Sequence, residues 1–422
     1  MEHKVGAPFS FGTSLRYQYG NMVLMQNSEM TTRPPPTHPS LSIHWVNTLF
    51  LVTTALIGLI GTPLHIYTIG TSWPLIGVFV FYLAATGLSI TGGYHRLFAH
   101  HTYQANRMVK LFYLLFGAAA CENSALRWAL DHRNHHRFVD QEGDPYNIRY
   151  GFFYAHIGWV FFKQPAYFNN LENSSYDCVR DLMEDPLVRW QHRFYLPIAI
   201  FVGGGLPLLI GYFLGNALGC FLLAGVARTV IVHHSTFLIN SLCHFMGKQP
   251  YSLADSSRDS AFVALLTCGE GYHNFHHRFQ YDYRNGVRWF HFDPTKWLIK
   301  TLETLRLAKG LRRASDLHIF RARLDIQRTQ AEQRLAGLSQ EFREAMIRKI
   351  HSTYETLLAT YGSWRELKQE YRSIRRTIGH KRKELTLKLK RDLHRASSNY
   401  LLTRASWALI HTQNPFPEQP VC

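Results

Sequence analysis

The 422-residue chain carries 46 Lys and Arg against 29 Asp and Glu, a formal charge of +17, and 46% of its residues are apolar. The apolar residues gather in long runs before about residue 235 and the charge gathers behind them, which excludes an ordinary soluble protein. Six cysteines (121, 178, 220, 243, 268 and 422) stand without a C-x-x-C pair, which argues against a disulfide framework, a cysteine zinc site or an iron–sulfur cluster.

In chain order, residues 1–40 read as a flexible lead. Their start holds Ser, Asn, Gln and Gly rather than the basic-then-apolar pattern of a cleavable signal, and Arg33 with Pro34, Pro35 and Pro36 runs extended toward the first span. Residues 41–300 read as a membrane domain. Four stretches, 45–67, 73–94, 195–214 and 217–236, each approach the ~20 residues that a helix needs to cross a bilayer. They pair as two hairpins, turning near Thr62–Ser72 and Leu214–Ala217. These turns carry essentially no Lys or Arg, whereas 96–193 and the chain after Lys248 are rich in both, which places those segments and both termini in the cytoplasm. A bacterial inner membrane is favoured over the endoplasmic reticulum. Leu111–Ala120 is apolar but too short to span, and reads as a re-entrant or interfacial helix.

Residues 301–422 read as a basic helical extension: between 301 and 410 there are 24 Lys and Arg against 11 Asp and Glu. Leu335, Leu338, Phe342, Met346, Ile350, Tyr354, Leu357 and Tyr361 recur at helical spacing. Gly362-Ser363 marks a turn, and a second helix runs through Leu367, Tyr371, Ile374 and Ile378. The pattern predicts a helical hairpin lying on the cytoplasmic domain or the membrane surface rather than on nucleic acid.

The chemistry lies in the histidines. Random placement of 24 His gives an H-x-x-H-H pattern roughly 0.08 times, yet it occurs at His132, His135, His136 and again at His273, His276, His277, with His95 and His100 upstream. An even number of crossings separates the clusters, so all emerge on one membrane face. Positions i, i+3 and i+4 share a helix face, so each triplet can point into a common site. His95 and His100 lie about 140° apart on an ideal helix and need a distortion or a helix end to converge. Eight imidazoles exceed the four ligands of a single zinc and suit two metals. Imidazole accommodates Zn, Cu, Fe or Ni; a site at the mouth of an apolar bundle suggests oxygen chemistry on a lipid chain, which argues for iron. Soluble di-iron bundles rely on several Glu with Glu-x-x-His pairs, and here only Glu270 with His273 fits. Asp131, Asp140, Asp144 and Glu270 are near enough in sequence to orient imidazoles. His101, His156, His192, His233 and His234 read as structural. The expected fold is all-α and integral to the membrane, with two transmembrane hairpins, a cytoplasmic helical domain bearing a histidine-rich dimetal site, and the C-terminal hairpin.

Three segments carry a family resemblance: Gly92-Gly93-Tyr94-His95-Arg96-Leu97-Phe98-Ala99-His100; Trp128-Ala129-Leu130-Asp131-His132-Arg133-Asn134-His135-His136-Arg137 with Gly143-Asp144-Pro145-Tyr146; and Gly269-Glu270-Gly271-Tyr272-His273-Asn274-Phe275-His276-His277. In content and order, from about residue 40 to 300, they resemble the membrane fatty-acid desaturases of the stearoyl-CoA (Δ9) type. The resemblance implies that the eight histidines plus His244, with Asn240 acting through water, hold two iron ions, and that O2 is the co-substrate. It implies insertion of a cis double bond, at Δ9, into a saturated acyl chain. It also implies acyl contacts by Asn123 and Trp128 near the carbonyl, Asp131 and Lys163 toward the carrier, and Thr236 with Phe237 at the tunnel bend. Glu122, Leu130 and Phe237 stand where the animal enzymes have Gln, Arg and Trp. Loss of the Arg weakens the case for a coenzyme A phosphate contact, so acyl-CoA, a phospholipid acyl chain and acyl carrier protein all stay open. With no fused haem or ferredoxin pattern, electrons come from a separate ferredoxin or cytochrome b-type protein with its reductase, and membrane lipids surround the spans. Two other functions stay open: a hydroxylase or other oxygenase on the same metals, and a non-catalytic metal-binding or transport protein, which predicts ionisable groups inside the spans.

Overall fold

A computed structural model describes residues 42–163, 176–377 and 383–412. The N-terminal lead with Arg33 and its prolines lies outside the described residues, as do Ile378 and Cys422. The chain falls into two compact units, one reaching to Lys248 and resuming over Leu253–Leu311, the other formed by Gln249–Ser252 and the chain from Arg312.

Among its described residues the first unit contains four helices long and apolar enough to cross a membrane: span one Trp45–Ile69, span two Trp73–Ala99, span three Tyr195–Phe213 and span four Ala217–Phe245. Spans two and four run past their expected ends at Tyr94 and Thr236. Polar residues such as His95, Arg96, Asn240 and His244 interrupt the apolar run there, but they are buried and the helices continue through them.

Each span contains a π-helical stretch: Ile57–Gly61, Ser89–Ala99, Phe201–Gly205 and Phe221–Ala227. In span three the stretch precedes Pro207, which has no N–H to offer the Gly203 carbonyl. That carbonyl accepts instead from Arg228 Nη2 of span four at 3.3 Å. Arg228 is fully buried and also donates to the carbonyls of Ala119 (2.5 Å) and Ala224 (2.9 Å). The bundle thus holds a cation on backbone oxygens that helix geometry leaves free.

Ala119 ends α1 (Arg107–Ala119), which Asn106 caps by accepting from the Val109 N–H at 2.9 Å. This is the expected short apolar helix, begun one turn earlier. It meets span two by reciprocal insertion: a Cβ on Gly117 would lie 2.3 Å from the Tyr94 ring, and one on Gly93 2.6 Å from Tyr113. Helix α2 (Ala125–Phe138) starts at the Ser124 cap. Helix α3 (Pro186–Arg193) has proline in its first turn and Asp185 as cap. Short helices α4 (Ala261–Leu266) and α5 (His273–Arg278) lead to α6 (Pro294–Thr304), capped by Asp293. Strands β1 (Gln104–Ala105) and β2 (Ala308–Lys309) pair antiparallel, Gln104 facing Lys309, and tie the end of this unit to its middle.

The second unit contains α7 (Asp316–Gln333), α8 (Gln340–Thr377) and α9 (Lys383–Thr412). Helices α8 and α9 make a hairpin, as expected, but not with the expected arms: Leu367, Tyr371 and Ile374 continue α8, the return arm is α9, and α7 joins them as a third helix. Leu324, Ile350, Tyr354, Leu357 and Trp407 form its buried core. Gly362-Ser363 is not a turn. A glycine inside a helix costs only ~1 kcal/mol, and its neighbours Tyr361 and Trp364 both pack on Tyr400 of α9, which outweighs that cost.

Candidate metal centre

The π-helical end of span two resolves the geometry of the first histidine pair. The His100 N–H donates to the His95 carbonyl at 3.1 Å, an i→i+5 bond. Residues five apart therefore lie one above the other, and the two rings meet edge to face with centroids 4.9 Å apart. Helix α2 contributes His132, His135 and His136, α5 contributes His273, His276 and His277, and the end of span four contributes His244.

The nine imidazoles sort into two groups: His95, His100, His132, His136 and His276 in one, His135, His244, His273 and His277 in the other. Within each group the ring nitrogens lie within 4.8 Å of one another. This corrects the reading of each triplet as one cluster. On an α-helix i+4 lies about 40° from i, whereas i+3 lies about 60° to the other side. His132 and His136 therefore share a group that His135 leaves, and His273 and His277 share the other group, which His276 leaves. Each helix feeds both groups.

The donor set fits cations. Nε2 atoms face one another at hydrogen-bond range: His95 to His276 at 3.0 Å, His100 to His132 at 2.8 Å, His136 to His276 at 2.9 Å, His273 to His244 at 3.1 Å and to His277 at 3.0 Å. The buried His135 Nε2 has no hydrogen-bond partner among the described residues. Meanwhile several Nδ1 atoms are occupied from outside: His95 by Glu270 (2.9 Å), His135 by Asp144 (2.8 Å), His277 by Asp255 (3.5 Å) and His244 by Ser256 (2.8 Å). An Nδ1–H donated outward leaves the Nε2 lone pair aimed inward, the arrangement of metal-binding histidines. Burial, reinforced by neighbouring imidazoles, holds His100, His132, His136, His273, His276 and His277 well below the ordinary histidine value, hence neutral and able to ligate.

Of the four carboxylates expected to orient imidazoles, Asp144 and Glu270 do so directly. Asp140 does so through Ser256, whose hydroxyl donates to it at 2.6 Å. Asp131 instead pairs with Arg127 at 3.3 Å. Sequence reasoning missed Asp255 and Ser256; they reach the site from a loop closed by the Lys248–Asp259 bridge, and no local spacing signals them. The five histidines expected to be structural have partners in the fold: His101 pairs with Asp181, His192 with Ser124, His156 with Ser241 and His234, and His233 donates to the Ala120 carbonyl. Asn240 is buried one helical turn before His244.

Among the expected acyl contacts, Trp128 and Thr236 are joined by Glu122: Trp128 Nε1 donates to one carboxyl oxygen at 3.2 Å and Thr236 Oγ1 to the other at 2.7 Å. Trp128 also stacks on His132 with centroids 4.9 Å apart. Asn123 is exposed, with positive φ, and its N–H donates to the Tyr195 hydroxyl. Phe237 is buried beside a small apolar crevice of about 90 Å³ bounded by span one and Ile157. Lys163 is exposed at the edge of the described residues, and Leu130 is buried in apolar core.

Burial pushes the Glu122 carboxyl up to about 7, against the pull of the Thr236 and Trp128 hydrogen bonds. A raised carboxyl favours the folded state while neutral, and this contribution is lost as pH rises from the ordinary value through about 7. Glu122→Gln is therefore expected to melt with the wild type near pH 5 and above it at pH 8; scanning calorimetry in detergent at both pH values checks this.

An open cleft of about 490 Å³ exposes His100, His136 and His277 beside Arg133, Arg137 and Arg278. The four spans and the paired imidazole groups define a membrane protein with a histidine-rich metal centre. Residues 71–308 match the family described as fatty acid desaturase, and the chain belongs to that family. It is 41% identical over 281 residues to the probable acyl-CoA desaturase of Schizosaccharomyces pombe, covering 66% of this chain and 56% of that protein. It is 39% identical over 280 residues to acyl-CoA desaturase 1 of Saccharomyces cerevisiae, covering 65% and 52%. Against the sn-1 stearoyl-lipid 9-desaturase of Anabaena variabilis it is 35% identical over 275 residues, covering 64% and 95%. The chain thus spans about half the length of the two yeast relatives.

Proposed function

We propose that this protein is an oxygen-dependent acyl desaturase that introduces a cis double bond, at Δ9, into a saturated chain carried by coenzyme A or a glycerolipid. The observation that carries the reading is the convergence of nine imidazoles into two groups, within each of which the ring nitrogens lie within 4.8 Å of one another, at the mouth of an apolar bundle. Two irons bound there supply oxidation of an unactivated C–H bond; O2, two electrons and two protons enter, and the alkene and two waters leave. Glu270, Asp144, Asp255 and Ser256 hold the imidazole tautomers. Trp128, Thr236 and Glu122 set the wall along which the acyl chain is positioned, and Asn123 and Asp131 with Lys163 serve its head and carrier. The buried, apolar Leu130 offers no phosphate contact, which favours the glycerolipid carrier. The basic segments support a metal centre on the cytoplasmic side.

Expression in a host lacking unsaturated lipids, with mass-spectrometric mapping of double bonds, tests the reading. A Δ9 product is expected. Hydroxylated chains would assign an oxygenase instead, and metal flux surviving His132→Ala with His276→Ala would assign a transporter.

The arginine cleft is the entry for an acidic electron donor, because it offers edges of both imidazole groups beside positive charge. Arg137→Glu with Arg278→Glu is expected to raise KM for the donor and remove its salt dependence while leaving metal content intact. Stopped-flow reduction over a salt series checks this.

A further inference from the structure

The segment after the last histidine cluster displays large aromatic side chains in the open. Trp289 is 86% exposed and Phe290 55%, and Phe292 and Trp297 stand out beside them. The loop that carries them is nonetheless built. Lys296 is buried, and its ammonium donates to the carbonyls of Gly286 (2.8 Å), Arg288 (3.0 Å) and His291 (3.1 Å). The Gly286 N–H donates to Asp293 at 3.0 Å, and His291 stacks on Tyr272 at 4.5 Å. A fixed loop that presents an indole to its surroundings calls for a partner.

Its height identifies the partner. Helix α6, which follows the loop, is tied to span two by a 2.6 Å hydrogen bond between Thr295 and Thr91. Helix α4, whose Phe262 and Leu265 are also exposed, is tied to span four by Ser235 donating to the Leu266 carbonyl at 2.9 Å. Thr91 and Ser235 each lie eighteen residues beyond the start of their spans. At the helical rise this is about 27 Å, close to the edge of a ~30 Å hydrocarbon layer. Both tethers thus fall at one level, where bilayer meets water. Between Val287 and Trp297 the only carboxylate, Asp293, is fully buried, and Arg288 adds a cation. Exposed indole and phenyl groups with Arg and no acid are the composition of a headgroup-level anchor.

We propose that residues 287–292, Trp297 and α4 form an interfacial collar seated in the headgroup region of the leaflet on the metal-centre side. The collar holds the histidine centre at a set depth: Asp293, which caps α6 and anchors the loop, also pairs with Arg96 at 3.0 Å, and Arg96 pairs with the Glu270 that braces His95.

The test compares the full chain with Trp289→Phe in nanodiscs of phosphatidylcholine, with and without bromine on the upper acyl carbons, and with iodide as aqueous quencher. The emission lost in Trp289→Phe is expected to be quenched strongly by brominated lipid and little by iodide. Phe290→Trp is expected to add emission of the same kind. Quenching of either component by iodide but not by bromolipid would overturn the proposal and assign the patch to a protein partner. The measurement needs neither substrate nor turnover, so its outcome is independent of the desaturase reading.

Discussion

Alanine at His273 is expected to lower bound metal from two ions per chain to one and to reduce double-bond formation by more than the roughly 100-fold that loss of an outer hydrogen-bond partner costs. His273 is the hub of the second group, its Nε2 facing those of His244 and His277. Alanine at His276 is expected to do the same to the first group, where that ring faces both His95 and His136. The two substitutions are therefore predicted to empty different sites and to give equal metal counts, which plasma mass spectrometry of the purified protein reads without any activity. Asp144→Asn and Glu270→Gln leave every ligand in place but loosen its tautomer, and are expected to cost 10–100-fold in metal affinity or turnover. If His273→Ala kept both ions, the division into two groups would be wrong.

That division marks the limit of what the sequence makes legible. Histidine spacing and apolar runs announce a membrane protein with clustered metal ligands, because each is a local pattern. Which ligand serves which ion depends on how α2 and α5 are rotated against each other, and an i, i+3, i+4 triplet reads as one face until a second helix lies across it. The His95–His100 pair is hidden for a different reason: its convergence needs an i→i+5 turn that composition does not encode. Asp255 and Ser256 arrive from a loop whose closure is a long-range event. Glu122 shows in sequence only as a departure from the related enzymes, while in the fold it pins α2 to span four. The ends of spans two and four are misplaced for a physical reason as well. Hydropathy stops where polar side chains start, but these polar groups find partners inside the protein.

Arg96→Met is expected to cost about 3–5 kcal/mol, the penalty for leaving buried charges unpaired. The guanidinium is 1% exposed and lies between Glu270 at 2.8 Å and Asp293 at 3.0 Å, with a further bond to the Tyr283 carbonyl at 2.8 Å. Burial pushes the Glu270 carboxyl up, yet Arg96 and then His95 outweigh it and hold it down to about 2. Without Arg96 two carboxylates share a dry pocket with no cation between them. Their repulsion falls on the α6 cap, on the Asn285 and Gly286 N–H groups that Asp293 holds, and on the brace of His95. A fall in melting midpoint on the order of 10 °C is expected in detergent, with the first histidine group losing its ion before the second. Arg96→Lys keeps the charge but cannot span both carboxylates, and should lie between. Arg96→Met combined with Asp293→Asn removes one of the stranded charges, and is expected to be less damaging than the sum of the single changes. Additive losses in that cycle would show that Arg96 acts through packing rather than charge.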